Sequence, residues 1–264
     1  LTGLKDHAAM TAPDLGADED LEVDPVRLLV VGWSELGPHV VAQLDEFVRP
    51  GTVIEIVVDP DHVDPATVTA TTTATNARLE VSADDRGPEG LALLALERRF
   101  EEVIVLGYRQ HLSLEEADAR TLLTLMAFDQ VVERNGLEDV RVVAELLDQR
   151  HTPLALATGV DDFVVSDELT SLLIAQLSER HELDQVFADL FQPTGCILEM
   201  RPVSSYVDGP ATFEDLVRAA SAQSQSALGY RHAAGGVVLN PSKSADPGLG
   251  PDDMLLVVRQ SGVA

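Results

Sequence analysis

The residues best placed to do chemistry are Gly32-Trp33-Ser34-Glu35-Leu36-Gly37, which follow directly on the apolar run Arg27-Leu28-Leu29-Val30-Val31. A buried strand that runs into a G-x-G-x-x-G turn and then a helix is the fingerprint of a dinucleotide site. Its glycines let backbone N–H groups approach a pyrophosphate at the helix N-terminus. Here the first and last glycines are present, but the middle position is Ser34, with Trp33 beside it. Ser34 adds a side chain where the pyrophosphate must come close. The motif therefore predicts weak dinucleotide affinity and suits a mononucleotide, or no organic ligand, better. Two readings stay open: a phosphate held by the N–H groups of residues 33–37, or a vestigial loop in which Trp33 fills the space of a cofactor. A hydrolase is a poorer fit, because the nucleophile elbow G-x-S-x-G is one residue shorter than this turn. The seven histidines include no i, i+4 pair and no HExxH, so a zinc hydrolase is unsupported as well.

Acidic residues supply the other candidates. Asp59 ends a second strand, Val53 to Val58, at the position whose carboxylate holds a ribose in the dinucleotide fingerprint. Asp84 and Gly107, after a third and a fourth strand, would line the same crevice. Asp59, Asp61 and Asp64 cluster behind one strand, and such hard oxygen ligands suit Ca2+, although no EF-hand loop is present. Asp84-Asp85 and Asp161-Asp162 fall at other element ends, and in a chain with 45 acidic residues such clusters also arise by chance.

These residues need a frame of alternating strands and helices. Val40, Val41, Leu44, Phe47 and Val48 recur at helical spacing behind Pro38, and Pro50-Gly51 ends that helix. Residues 66–75, rich in Thr and Ala, read as an irregular loop. A strand is expected at Arg78 to Ser82, a helix from Pro88 through Leu96, and a strand at Val103 to Gly107. Ser113 and Glu116 form a capping box for a helix that turns Leu122, Leu125, Met126 and Val132 inward and stops at Asn135-Gly136. Strands at Arg141 to Leu147 and Phe163 to Val165 complete a parallel sheet with helices on both faces.

The pattern then changes. Ser166 should cap a helix with Asp167 and Glu168 in its first turn. A second helix follows, with Leu183, Val186, Phe187, Leu190 and Phe191 on one stripe. That stripe is too exposed on a connector to be buried alone, so pairing with another protomer is expected. Beyond Pro193 and Gly195, short strands at Ile197–Val203, Ala227–Tyr230, Gly236–Leu239 and Met254–Val258, with a helix near Phe213–Ser221, make a small α+β lobe. The expected divisions are an acidic linker at 1–24, a Rossmann-like lobe at 25–166, crossover helices at 167–193 and a C-terminal lobe at 194–264.

Composition narrows the partners. Against 18 Lys and Arg stand 45 Asp and Glu, a net charge of −27 that repels nucleic acid and anionic headgroups. Cys196 is the single cysteine, which excludes an internal disulfide and points to a reducing compartment. No apolar stretch reaches the ~18 residues that span a bilayer. The chain opens on Leu1 without a recognisable signal peptide, as a piece of a longer protein would.

In this order the pieces resemble the RCK (TrkA-type) regulatory domain of cation channels, and most of all the CASTOR/POLLUX-type channels. The resemblance lies in Gly32-Trp33, Ala117-Asp118-Ala119-Arg120-Thr121-Leu122-Leu123 and Val143-Ala144-Glu145-Leu146-Leu147-Asp148. It continues through Asp161-Asp162-Phe163-Val164-Val165-Ser166-Asp167-Glu168-Leu169 into the crossover helix. In the last lobe it rests on Gly229-Tyr230-Arg231, Val238-Leu239-Asn240-Pro241-Ser242 and Gly250-Pro251-Asp252-Asp253-Met254-Leu255-Leu256-Val257. It covers roughly residues 25–260.

The resemblance implies a non-catalytic domain at the cytoplasmic face of a cell membrane. Such a domain packs with its own copies into a gating ring and passes ligand binding to a transmembrane pore domain outside this sequence. The ligand it implies is a nucleotide, NAD or a mononucleotide, or Ca2+, and Ser34 departs from the nucleotide-binding members. The rivals are an NAD(P)-dependent oxidoreductase, for which no proton-transfer residue stands out, and a purely structural assembly domain.

Overall fold

The computed structural model describes residues 26–135, 140–158, 162–180, 182–192, 195–233, 235–244, 246–250 and 252–260. The acidic lead-in at 1–24, Gly136, Asp161 and Pro193 lie outside the described residues. The chain divides into two compact units, Leu1–Ser166 and Asp167–Ala264.

In the first unit strands and helices alternate: β1 (Arg27–Val31), α1 (Gly37–Phe47), β2 (Val53–Val58), α2 (Pro65–Thr71), β3 (Arg78–Ala83), α3 (Gly87–Glu97) and β4 (Glu102–Val105). α4 (Leu114–Asn135), β5 (Arg141–Leu146), α5 (Thr152–Leu156) and β6 (Phe163–Val165) follow. All six strands are parallel, in the order β3-β2-β1-β4-β5-β6. This is the Rossmann-like doubly wound sheet, and its strand order reverses between β1 and β4.

The pleat sorts the core. Leu28, Val30, Ile54, Ile56 and Val58 face α1 and α2, whereas Leu29, Val31, Val57, Val103 and Val105 face α3 and α4. Right-handed crossovers require this arrangement, since the chain winds one way to β3 and the other way from β4. Glu55, 1% exposed, is a charge inside central strand β2, and it is compensated by Arg27 and Arg98.

Several expectations need correction. Residues 66–75 do not form an irregular loop throughout, because Asp64 Oδ1 accepts the Ala66 N–H and Pro65 supplies the first turn of α2. Capping chemistry outweighed the low complexity of the run. Phe47 is 57% exposed and Met126 45%, so neither turns inward. In α4 the buried positions are Ala117, Asp118, Thr121, Thr124, Leu125, Phe128 and Val131, while the side chain of Val132 lies outside the description. The Ser113–Glu116 capping box is formed, with Ser113 N donating to Glu116 Oε2 at 3.0 Å and Glu116 N to Ser113 Oγ at 3.3 Å. Ser166 stands within its helix, and its hydroxyl donates to Glu145 Oε1 at 2.8 Å.

The second unit comprises α6 (Ser166–Glu179), α7 (Leu183–Phe191), β7 (Cys196–Pro202), α8 (Phe213–Ala222), β8 (Ser226–Arg231), β9 (Val237–Leu239) and β10 (Met254–Gln260). Its strands form an antiparallel sheet in the order β7-β10-β8-β9. α8 covers one face with Phe213, Leu216 and Ala220 against Tyr230, Leu255 and Val257. Asp253 ties the lobe's loops by accepting from Ala233 N at 2.7 Å and Gly250 N at 2.7 Å.

Candidate functional site

Open parallel sheets hold ligands beyond the strand C-termini, at the point where strand order reverses. Here that point is walled by Gly32, Asp59 and Asp84 from the ends of β1, β2 and β3, and by Tyr108 beyond β4. The opposite wall is the α4 face Ala117, Arg120, Thr121 and Thr124, residues spaced three and four apart. Three residues expected from the sequence meet here: Gly32, Asp59 and Asp84. Gly32 must be glycine, because its φ is +84° and a Cβ would stand 2.2 Å from the Leu106 carbonyl oxygen.

The remaining loop residues face elsewhere. Trp33 is 6% exposed and packs in the core on the α1 side of the sheet. A Cβ on Gly37 would come within 2.7 Å of its ring, so Gly37 serves this packing. Trp33 therefore does not fill the cofactor space. Ser34 is 1% exposed, and its Oγ accepts the Leu36 N–H at 3.2 Å, while its carbonyl accepts Gly37 N–H at 2.9 Å. The loop thus satisfies internally two of the donors that a phosphate would use. Gly107 turns toward the interior, where its N–H donates to Glu145 Oε2 at 3.2 Å.

Side chains of the protein itself occupy the crevice. The Tyr108 hydroxyl accepts the Asp59 N–H at 2.9 Å. The Arg120 guanidinium pairs with Asp59 Oδ2 and lies 5.1 Å from the Tyr108 ring centroid, and its other terminal nitrogen is 3.3 Å from His62 Nε2. The His62 ring in turn stacks obliquely on Tyr108, centroids 5.2 Å apart. About 20 Å³ remains open. That is room for about one water, against the roughly 300–1,000 Å³ of an organic ligand pocket.

Electrostatics follow the same pairing. Burial pushes the Asp59 carboxyl up, but the Asp61 N–H and Arg120 outweigh it and hold it below its ordinary value. Burial raises the Tyr108 phenol, which stays protonated. Asp84 is lowered first by its hydrogen bonds from Arg86, whose Nε reaches Oδ2 at 2.8 Å.

Asp59, Asp61 and Asp64 do not assemble as cation ligands. Asp59 is paired with Arg120 and also accepts Asp61 N–H at 2.9 Å, and Asp64 caps α2. Among the described residues no group of three or more His, Cys, Asp or Glu is gathered as a metal would need. A strand-end acidic cluster was visible in the sequence, but the turn and cap that consume it were not.

A second concavity opens on the α1 face of β4, β5 and β6. It measures about 470 Å³ and lies between Leu36, Val40 and Leu44 on one side and Ile104, Val143 and Val164 on the other. α1 and α2 cover only the other half of this face, and α4 lies on the opposite one. Glu145 and Ser166 also line it. Glu145 is 6% exposed and accepts from Gly107 N, from Arg109 Nη2 at 2.6 Å and from Ser166 Oγ.

Comparison with known proteins adds a lineage. No protein-family model matches the chain. It is 32% identical to the probable ion channel POLLUX of Arabidopsis thaliana over 124 residues, which are 46% of this chain and 15% of the relative. Against the probable ion channel CASTOR of Oryza sativa subsp. japonica it is 22% identical over 242 residues, 78% of this chain and 27% of the relative. The chain is a homologue of the CASTOR and POLLUX ion channels. The structure of the human SLO3 gating ring matches 88% of this chain and 43% of that one, with a TM-score of 0.57 at 12% identity. The homologue therefore has the RCK fold, with the Rossmann-like sheet and the small antiparallel lobe. It spans 15% and 27% of the lengths of the two plant channels. No helix among its described residues is long and apolar enough to cross a membrane.

Sequence reasoning missed Tyr108, Arg120, His62 and Glu145. A usable signal existed in α4, whose inward stripe Ala117-Arg120-Thr121-Thr124 is small and polar where a purely structural helix would carry leucines.

Proposed function

We propose that this chain is the cytosolic regulatory part of an ion channel, a non-catalytic domain that assembles with its own copies and biases a pore carried elsewhere in the protein. The observation that carries the reading is the pair of helices that separates the two sheets in sequence. α6 and α7 bury none of their residues, and they expose Leu172 (58%), Ile174 (64%), Val186 (49%) and Phe191 (55%). Helices this apolar need a partner surface. The open groove on β4–β6, also apolar, offers one of matching chemistry in a second copy. The names of the relatives, ion channels and a gating ring, supply the setting.

With Arg120 and Tyr108 in place, the crevice at the strand-order reversal keeps about 20 Å³ and lends the oxidoreductase reading no support. Ser34, buried and bonded to its own turn, is not presented as a nucleophile.

Light scattering on the isolated chain tests the assembly. The unmutated protein should be at least a dimer, and Phe187→Asp should dissociate it by burying a charge at the contact. In the full-length channel the same substitution should change open probability while leaving a conducting pore. A monomer at high concentration, or a Phe187→Asp channel that gates normally, overturns the reading.

A further inference from the structure

We infer that Arg120 is an internal ligand of the crevice: by pairing with Asp59 beneath Tyr108 it keeps ribonucleotides out of a site otherwise shaped to hold one. The inference rests on the regulatory reading only in taking the crevice as the place where a ligand would be sensed.

Asp59 ends β2, where a carboxylate accepts the hydroxyls of a ribose. In this structure it accepts from Arg120, from Asp61 N at 2.9 Å, and its own N–H is taken by Tyr108. Few acceptor positions remain for a sugar. The guanidinium reaches Asp59 across a face of α4 made of Ala117, Thr121 and Thr124, each no more than 3% exposed. Larger residues there would have packed the crevice shut without any charge. The arginine instead fills a space that small residues leave, and it does so reversibly. Its side chain is 31% exposed, so it lies at the mouth and can swing into solvent without crossing the core.

The phosphate end of the site sets the ligand class. Ser34 Oγ and the Ser34 carbonyl take the N–H groups of Leu36 and Gly37. A pyrophosphate finds those donors spent, and a monophosphate needs fewer of them. A ribonucleotide with one phosphate is thus the ligand that would compete with Arg120.

Calorimetry with AMP and NAD+ on the intact chain tests the idea. The unmutated protein should bind neither at millimolar concentration. Arg120→Gln should bind AMP at least tenfold more tightly than the unmutated chain, and more tightly than it binds NAD+. Adding Asp59→Asn to that variant should remove the gain. Arg120→Lys keeps the charge but lacks the planar group that lies on Tyr108, so it should gain less, in the same direction. If Arg120→Gln fails to give a native circular dichroism spectrum, Arg120→Lys decides: a gain supports the lock and no gain overturns it. A folded Arg120→Gln chain with no gain also overturns it, as does AMP binding by the unmutated chain that neither substitution alters. Such failures would leave oligomerisation and channel gating unchanged, so the lock and the regulatory reading fall separately.

Discussion

The crevice at the β1/β4 reversal and the groove on the outer face of β4–β6 are neighbours in one unit, and they are built on opposite principles. The crevice, with about 20 Å³ free, is filled by Tyr108, Arg120 and paired carboxylates. The groove, about 470 Å³, is apolar and open. A sheet of this order conventionally keeps the first place for a ligand. Here the first has been closed by the chain's own side chains, and the second has been left without a helix from its own unit. What distinguishes them is which residues are already satisfied. Polar groups in the crevice have partners, whereas apolar groups in the groove still face water, and only the latter gain from burial by a partner.

The strongest way to break this comparison is to substitute one residue in each place. Gly32→Val should cost about 3 kcal/mol or more, since it sets a side chain at positive φ against a backbone oxygen that cannot retreat. Val143→Asp in the groove, at a position 38% exposed, should change monomer stability by less than about 0.5 kcal/mol while abolishing self-association. Denaturant melts and light scattering measure the two effects. If Val143→Asp unfolds the protein and Gly32→Val does not, the roles of the two regions are reversed.

Glu145 lies at the boundary, and the comparison is sharpened by removing it. Glu145→Ala strips one carboxylate from three donors, the Gly107 N–H, Arg109 and Ser166. The expected loss is about 2–3 kcal/mol, because Arg109 and a buried amide are left without their acceptor. Glu145→Gln, which keeps the shape, should lose about half as much. Equal melting of both variants would show that the contacts are dispensable.

The sheet was legible in the sequence, and the closed crevice was not, for a definite reason. Runs such as Leu28–Val31 and Val53–Val58 are apolar because both faces of the sheet are covered, and that pattern is local. Gly32 and Asp59 were legible because the fingerprint fixes their spacing from the strands. Arg120 is 61 residues from Asp59 and Tyr108 is 49, so only the fold brings them together. Ser34 was read as an obstacle to phosphate. Its buried hydroxyl turns out to be a substitute for one, accepting an N–H at the helix start. The acidic clusters misled for the opposite reason. Their composition resembled a cation site, whereas the Asp59 and Asp64 carboxylates are committed to a turn and a helix cap.

That reading of Ser34 makes a smaller prediction. Ser34→Gly should lose about 1 kcal/mol with the Leu36 contact. On its own it should add no measurable nucleotide binding, since Arg120 still holds Asp59. Combined with Arg120→Gln, it should tighten NAD+ more than AMP, because it frees the Leu36 N–H for a pyrophosphate, while the Ser34 backbone carbonyl keeps the Gly37 N–H. A single Ser34→Gly variant that bound NAD+ tightly would show that the loop, and not the arginine, is the barrier.

The smallest effect expected is in acid. Burial alone would raise the Asp59 carboxyl, but the Asp61 N–H and Arg120 lower it below its ordinary 3.8 in the folded chain. A group depressed on folding contributes stability that is complete above its unfolded pKa and is lost as pH falls through the folded value. The Arg120–Asp59 contribution should therefore be present at neutral pH and fade below about pH 4. Arg120 is partly solvated, so the increment should be less than about 1 kcal/mol. Many other carboxylates titrate over the same range, and only a difference curve isolates this one. Urea melts of the unmutated chain and Arg120→Gln, compared at pH 6 and pH 3, should show a stability gap at the first that narrows at the second. A gap of constant size would mean that Arg120 holds its place by packing on Tyr108, and the crevice would then be sealed by shape alone.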